Sequence, residues 1–476
     1  MSSLPPDAPV IEPPPPSVWA AVKEAVRGAH MHDYTEGPIG KALFLLAVPM
    51  VLEVALESVF AVVNVFWVSR LGPDAVAAVG LTEAMFSIIY AVGIGLGIGA
   101  TATVARRIGE KKPELAARAA VQAILIGVLV SVPIALIGAG FAPDLLRLMG
   151  ASEQVIATGS SYPRILFAGN VIIMLLFLIN AIFRGAGDAA IAMRSLWIAN
   201  LCNLILDPLL IFGIGPFPEL GVTGAAVATT IGRGIGVLYQ FYRLAAPGKR
   251  FTIHRSDWRF EPKTAMSLLR LSGTGMFQIL IGTTSWVGLV RVVSLFGSQV
   301  VAGYTIGIRI IIFAILPSWG MANAGATMVG QALGAKKPDR AEQAVWLACR
   351  YNLAFLGGIG VVFVVFAPLL VGLFTGDPEV AGYAVACLRI VGLGFPLYAF
   401  GMVLSSAFNG AGDTWTPTRL NLICFWLWEI PLAWILSQKT ALGANGAFVA
   451  IAVAFSTLAL LSAILFRRGR WKTRHI

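Results

Sequence analysis

The sequence predicts an all-α integral membrane protein: twelve transmembrane helices in two homologous six-helix bundles. Three observations predict this. Of its 476 residues, 57% are hydrophobic and only 12% charged, and the mean hydropathy is +0.81, which is more apolar surface than a water-soluble core can enclose. Long apolar stretches alternate with short loops, each stretch reaching the roughly 20 residues that cross a bilayer as a helix. The chain is also written twice. Ile108-Gly109, Lys111-Lys112-Pro113 and Glu114 return as Leu333-Gly334, Lys336-Lys337-Pro338 and Asp339. At the same spacing, Phe183 with Gly185-Ala186-Gly187-Asp188 returns as Phe408 with Gly410-Ala411-Gly412-Asp413. A duplicated polytopic unit is a common transporter plan.

Helices follow because open strands would leave backbone groups unpaired in lipid. The spans of the first copy are 41–69, 75–104, 115–140, 154–183, 190–213 and 222–245; those of the second are 265–296, 300–331, 341–366, 379–408, 416–437 and 444–466. An even number of spans per copy gives both copies the same orientation, with a substrate path between two similar lobes. The lobes are 37–245 and 264–467, joined by a linker at 246–263 with His254 and Trp258 and followed by a basic tail at 468–476. Residues 1–36 stand apart: a proline-rich run (Pro5, Pro6, Pro9, Pro13 to Pro16) reads as disordered, and 17–28 as a short amphipathic helix on the membrane surface. No basic region followed by an apolar core marks a cleavable signal peptide.

Charge orients the chain. Loops after the even spans, with the C-terminal tail, carry Arg106, Arg107, Lys111, Lys112, Lys249, Arg250, Lys336, Lys337, Arg340, Arg467 and Arg468 among others, whereas the opposite loops offer Arg70, Arg147 and Lys439. The bias of about seven to one places both termini in the cytoplasm by the positive-inside rule. Topology thus accounts for the net charge of +11 without a nucleic-acid partner. The expected setting is a lipid bilayer, with the protein acting as a monomer.

Several features point away from catalysis. Cys202, Cys349, Cys387 and Cys424 fall singly inside spans, and His30, His32, His254 and His475 lie in tails and linker, so neither a metal site nor a catalytic set is visible. The run Gly93 to Gly99, with glycine at every second position, lies mid-span without the strand a nucleotide loop requires and reads as a close helix contact. No cofactor is expected beyond a coupling ion, H⁺ or Na⁺.

Acidic and amide residues inside the spans carry the functional signal, because an ionisable group in hydrocarbon costs at least ~2.5 kcal/mol and needs a partner, a proton or a wet cavity. Glu53, Glu57 and Asn64 share one face of the first span, and Asn203 and Asp207 share a face of the fifth, where Pro208 loosens the backbone. Two readings stand for this set: a satisfied polar packing network, or a cation site in which a carboxylate with amide and hydroxyl oxygens holds Na⁺ or a desolvated carboxyl carries a proton.

The run Phe66-Trp67-Val68-Ser69-Arg70-Leu71-Gly72 to Ala77-Ala78-Val79-Gly80, then Ala105-Arg106-Arg107-Ile108-Gly109, the paired Gly-Ala-Gly-Asp turns, Asn203-Leu204-Ile205-Leu206-Asp207-Pro208 and Gly224-Ala225-Ala226-Val227-Ala228-Thr229 resemble the multidrug and toxic compound extrusion (MATE) family, its DinF-like prokaryotic branch in particular. The similarity covers roughly 37–467. It implies a V-shaped pair of six-helix lobes that open alternately to each side and export drug-like molecules against H⁺ or Na⁺. It also implies a first-lobe cation site at Asn64, Tyr162, Asn180, Asn203, Asp207 and Thr229. Asn64 departs from the family, which usually has Asp there; Asn has no proton to lose, which leaves Asp207 to titrate and Glu53 or Glu57, a few turns away at most, as candidates for the missing charge.

In the second lobe Glu429 and Arg309, with Arg291, lie at similar depth. A Glu429–Arg309 ion pair and an anionic anchor for cationic substrates are the competing readings, and Glu83 poses the same choice with Arg309. Gln278, which faces Glu53 in the repeat, and the aromatics Trp286, Phe313, Trp319, Tyr398, Trp426 and Trp428 complete the candidate substrate surface for small organic cations or amphiphiles. The function expected is secondary antiport exporting such compounds. A lipid-linked precursor flippase of a related two-lobe family and a non-transporting membrane receptor or scaffold are the alternatives.

Overall fold

The computed structural model describes residues 18–28, 32–246 and 250–474. The proline-rich run, His30 and His475 lie outside the described residues. Helix α1 (Val18–Arg27) precedes the membrane and packs on α2 through Ala25, leaving Trp19 80% exposed. The first copy then comprises α2 (Ile39–Ser69), α3 (Pro73–Gly109), α4 (Pro113–Gly140), the short α5 (Ala142–Leu148) and α6 (Glu153–Gly159), α7 (Ser161–Ala168), α8 (Asn170–Ala186), α9 (Ala189–Phe212) and α10 (Val222–Ala245). The second comprises α11 (Pro262–Val293), α12 (Ser298–Gly334), α13 (Pro338–Gly372), α14 (Pro378–Gly410), α15 (Trp415–Asn421), a π-helical turn (Leu422–Glu429), α16 (Ile430–Lys439) and α17 (Asn445–Arg467).

Among the described residues, ten stretches are long and apolar enough to cross a membrane, and α7 with α8, bent by 49° at Gly169, makes an eleventh. The twelfth is α10, of sufficient length but diluted by Arg233 and Thr-Gly-rich sequence. The fourth span therefore departs from the continuous helix expected over 154–183. Pro163 has no amide to give the Gly159 carbonyl, which breaks the span between α6 and α7, and the α6 start is capped by Ser152, whose Oγ accepts from the Val155 amide.

The repeat extends to the backbone. Lys111 and Lys336 both have φ 58°, closing α3 and α12 with the same left-handed turn, and Gly187 (φ 87°) and Gly412 (φ 81°) end α8 and α14 alike.

The two lobes exchange the ends of their first helices. Leu43, Leu46, Ala47 and Met50 of α2 belong to the apolar core of the second lobe, while Ala265 and Leu268 of α11 belong to that of the first. Glycine permits the crossing: a Cβ on Gly95 of α3 would stand 2.3 Å from Met276 Cγ, and one on the repeat-related Gly320 of α12 would stand 2.6 Å from the Val51 amide. The glycine run is indeed a close helix contact: Gly95 and Gly99 meet α11, and Gly93 and Gly97 meet α8 of their own lobe.

Contacts between lobes concentrate at the face carrying the Arg- and Lys-rich loops, called the basic face below. There Gly109 and Gly334 meet the backbones of Gln331 and Arg106, Thr327 donates to the Arg184 carbonyl (3.1 Å) and Gln331 to that of Gly185 (3.0 Å). Both ends of the chain reinforce this closure. Arg340 donates to the carbonyls of Tyr34, Glu36 and Gly37, and Tyr34 donates to the Gly187 carbonyl while lying under the Arg250 guanidinium. The basic tail folds back: Trp471 is fully buried, stacked on Phe466 at 4.5 Å, and Arg106 donates to the Arg474 carbonyl. The linker is likewise fixed, by Gln122 donating to the Arg259 carbonyl (2.6 Å) and Arg118 pairing with Glu261 (3.3 Å).

Candidate functional site

The first lobe holds three polar groups on adjacent helices. Asp207 and Asn203 lie one turn apart on α9, as their spacing requires. Asn203 Nδ2 donates to Asp207 Oδ1 (3.1 Å) and to Thr229 Oγ1 of α10 (3.2 Å). Asp207 is 1% exposed, and its Oδ2 is buried with no hydrogen-bond partner. Asn64 Oδ1, on α2 packed along α9, is also buried and unpartnered. Tyr162 is fully buried within electrostatic reach of Asp207 but makes no hydrogen bond to it. The unpartnered Asp207 carboxylate oxygen and Asn64 amide oxygen, with the Thr229 hydroxyl and with no cation beside them among the described residues, form the donor set that a hard monovalent cation or a proton needs.

Asn180 departs from the set that the resemblance implies. Its Nδ2 donates to Glu53 Oε1 (3.2 Å), and its Oδ1 accepts from Gln240 (2.7 Å) and Ser195 (3.0 Å). The cause is Arg184, one turn further along α8, which forms an ion pair with Glu53 at 2.7 Å and fixes the carboxylate beside Asn180. Glu53 is thereby a compensated buried acid.

Glu57 joins a third group that sequence reading missed. It accepts from Asn200 Nδ2 (2.7 Å) and faces Arg233 of α10 at 3.9 Å. Tyr90 and Glu83 of α3 are the other polar neighbours of that guanidinium. Arg233 was detectable as a lone charge inside a span, four residues after Thr229. Its position corrects the Glu83–Arg309 pairing: Glu83 faces Arg233 within its own lobe.

The Glu429–Arg309 pair is likewise absent. Arg309 is exposed on α12, whereas Glu429 is 3% exposed and, among the described residues, makes no hydrogen bond or ion pair. Equal depth did not bring them together because the π-helical turn directs Glu429 into the lobe. That burial also separates it from the exposed Trp286, Phe313, Trp319, Trp426 and Trp428. Tyr398 is half-buried against Phe455 at 4.1 Å, and Gln278 is buried, its carbonyl accepting from Asn421. Trp426 donates to the Ile281 carbonyl. The four cysteines are free, and no His, Cys, Asp and Glu group among the described residues is arranged for a metal.

Two pseudo-symmetric helical lobes closed together at one face, with buried unpaired oxygens in the first, define a multi-pass membrane protein of the transporter class. The chain belongs to the MatE family, whose model matches residues 49–209 and 266–435. It is 27% identical over 442 residues to the probable multidrug resistance protein YoeA of Bacillus subtilis, covering 92% of this chain and 95% of that one. It is 26% identical over 404 residues to a FAD transporter of Shewanella oneidensis, covering 84% and 89%. A solved MATE structure in a straight conformation superposes with a TM-score of 0.86 at 28% identity, over 94% of this chain and 98% of that one. An outward-facing MATE transporter of the MOP superfamily superposes with a TM-score of 0.85 at 28% identity, over 92% and 97%.

Proposed function

We propose that this protein is a secondary antiporter that exports organic, mostly cationic compounds in exchange for H⁺ or Na⁺, and that the ion is taken up at Asp207 with Asn203 and Thr229. The observation that carries this reading is the Asp207 carboxyl, buried with one oxygen unpaired and no cation beside it. Uptake of H⁺ or Na⁺ neutralises it, and the first lobe then favours a different packing of α2, α9 and α10, which shifts the balance between the two access states. The basic face is the cytoplasmic one on the positive-inside rule, so the closed face described above seals the cytoplasm while substrate leaves on the other side of a bacterial inner membrane. Membership of a family with multidrug relatives supports the substrate class.

The test is dye efflux from proteoliposomes under separately imposed pH and Na⁺ gradients. Asp207→Asn is expected to abolish the gradient dependence while the protein stays folded. Wild-type rates with unchanged gradient dependence overturn the assignment.

A further inference from the structure

We propose that the second lobe has its own proton site, the Glu429 carboxyl, so that each lobe takes up one proton per transport cycle. The proposal rests on the proton form of the antiport reading above.

Glu429 is 3% exposed and ends a π-helical turn of eight residues, a departure from α-geometry that recurs at functional sites. Among the described residues, its surroundings offer nothing to offset a negative charge. The groups within electrostatic reach are the phenols of Tyr304 on α12 and Tyr398 on α14 and the thiol of Cys424 on its own turn, none of them cationic. On α17, Phe448 stacks on Tyr304 and Phe455 packs against Tyr398 and Phe425, so these phenols sit among aromatic rings. An ionised carboxylate enclosed in this way is strongly disfavoured, and the closed-basic-face state shown here therefore holds Glu429 with its proton.

The size of the site selects its ligand. A side chain enclosed to this degree is out of reach of an organic cation but open to a proton passed through a transient water. The register of the duplication supports a coupling role: the repeat sets Asp207 opposite Leu432, and Glu429 lies about one helical turn before it. Both lobes thus place a buried carboxyl with no counter-cation among the described residues on the equivalent span, near a proline (Pro208, Pro431) that weakens the local backbone ladder. In the step itself, a proton from water on the open side forms the O–H bond of Glu429, and its loss to the opposite side regenerates the carboxylate. No other bond changes.

The experiment measures protons released when ethidium binds to the detergent-purified full chain in weakly buffered solution, alongside the infrared carbonyl band of protonated carboxyls. Glu429→Gln is an isostere of the neutral acid and is expected to fold and to release roughly half as many protons as wild type, with Asp207→Asn losing the other half and the double variant releasing none. In the Asp207→Asn background, binding is still expected to remove a protonated-carboxyl band, a readout that does not depend on the Glu429 variant folding. Release from Glu429→Gln equal to wild type, or no band change in Asp207→Asn, overturns the Glu429 assignment alone. Absence of proton release from ethidium-bound wild type overturns proton coupling at both sites.

Discussion

Gly95 of α3 lies against the backbone of Met276 of α11 so closely that even a methyl group would collide with it. Gly320 stands in the same relation to Met50 and Val51. These two contacts hold the crossed ends of the first helices of both lobes.

Gly95→Ala and Gly320→Ala are expected to destabilise the closed basic face by about 1–3 kcal/mol each, the usual cost of overpacking. Thiol labelling at cysteines introduced on the basic face, beside Gln331 or Thr327, should speed up accordingly. Unchanged labelling would show that the crossing is not under the constraint described.

Removing Glu53 strands the Arg184 guanidinium, a side chain only 19% exposed. Glu53→Ala is expected to cost about 3–5 kcal/mol, as breaking one side of a buried pair does, whereas replacing both residues with apolar ones should recover most of it. Thermal unfolding in detergent of the two single variants and the double compares these outcomes.

Asn64→Asp restores an ionisable group on α2, where a buried amide oxygen has no partner. Gradient-driven efflux by this variant is expected to depend more steeply on the imposed pH or Na⁺ gradient than wild type. An unaltered dependence would show that Asp207 already provides all the titratable charge this region uses.

Tyr34 outside the membrane gives a pH signature. Burial pushes its phenol from 10.0 up to about 12, so the docked segment keeps its proton more tightly than a released one. Docking is therefore undiminished below pH 10, weakens as pH rises towards 12, and is unaffected by this group in acid. Tyrosinate absorbance of wild type minus Tyr34→Phe should titrate near the upper value rather than the lower.

Trp471 fills the space between Phe466 and the basic face, with its indole nitrogen donating to the Phe466 carbonyl at 2.8 Å. Trp471→Ala is expected to cost about 3–5 kcal/mol, the range for emptying a buried aromatic position. Accelerated proteolysis after Arg467 or Arg468 would report the released tail.

Much of this architecture is legible in the sequence because membrane insertion makes strong demands on local pattern. Span lengths, the duplicated turns and the α9 spacing of Asn203 and Asp207 all obey short-range rules, and the structure reproduces them except in the broken fourth span. Direction between helices is different. Nothing in the spacing reveals that Glu53 pairs with Arg184 and takes the Asn180 hydrogen bond, since the pairing joins α2 to α8 across many residues. Depth alone likewise suggested Arg309 for Glu429 and Glu83, but the π-helical turn and the orientation of α10 decide those neighbours. The crossing of α2 and α11 into opposite cores is a tertiary exchange that hydropathy does not encode, although glycine at 95 and 320 marks where it occurs.

That exchange sets a limit on how the molecule can be divided. Either copy alone would leave the basic-face end of its first helix without a core to enter, and would complete itself only by finding a second copy at a matching orientation. Linking the copies through 246–263 removes that search, so assembly of the functional unit is independent of protein concentration in the membrane. A chain cut within the linker should still work when both pieces are made together, and neither piece should be stable when made alone.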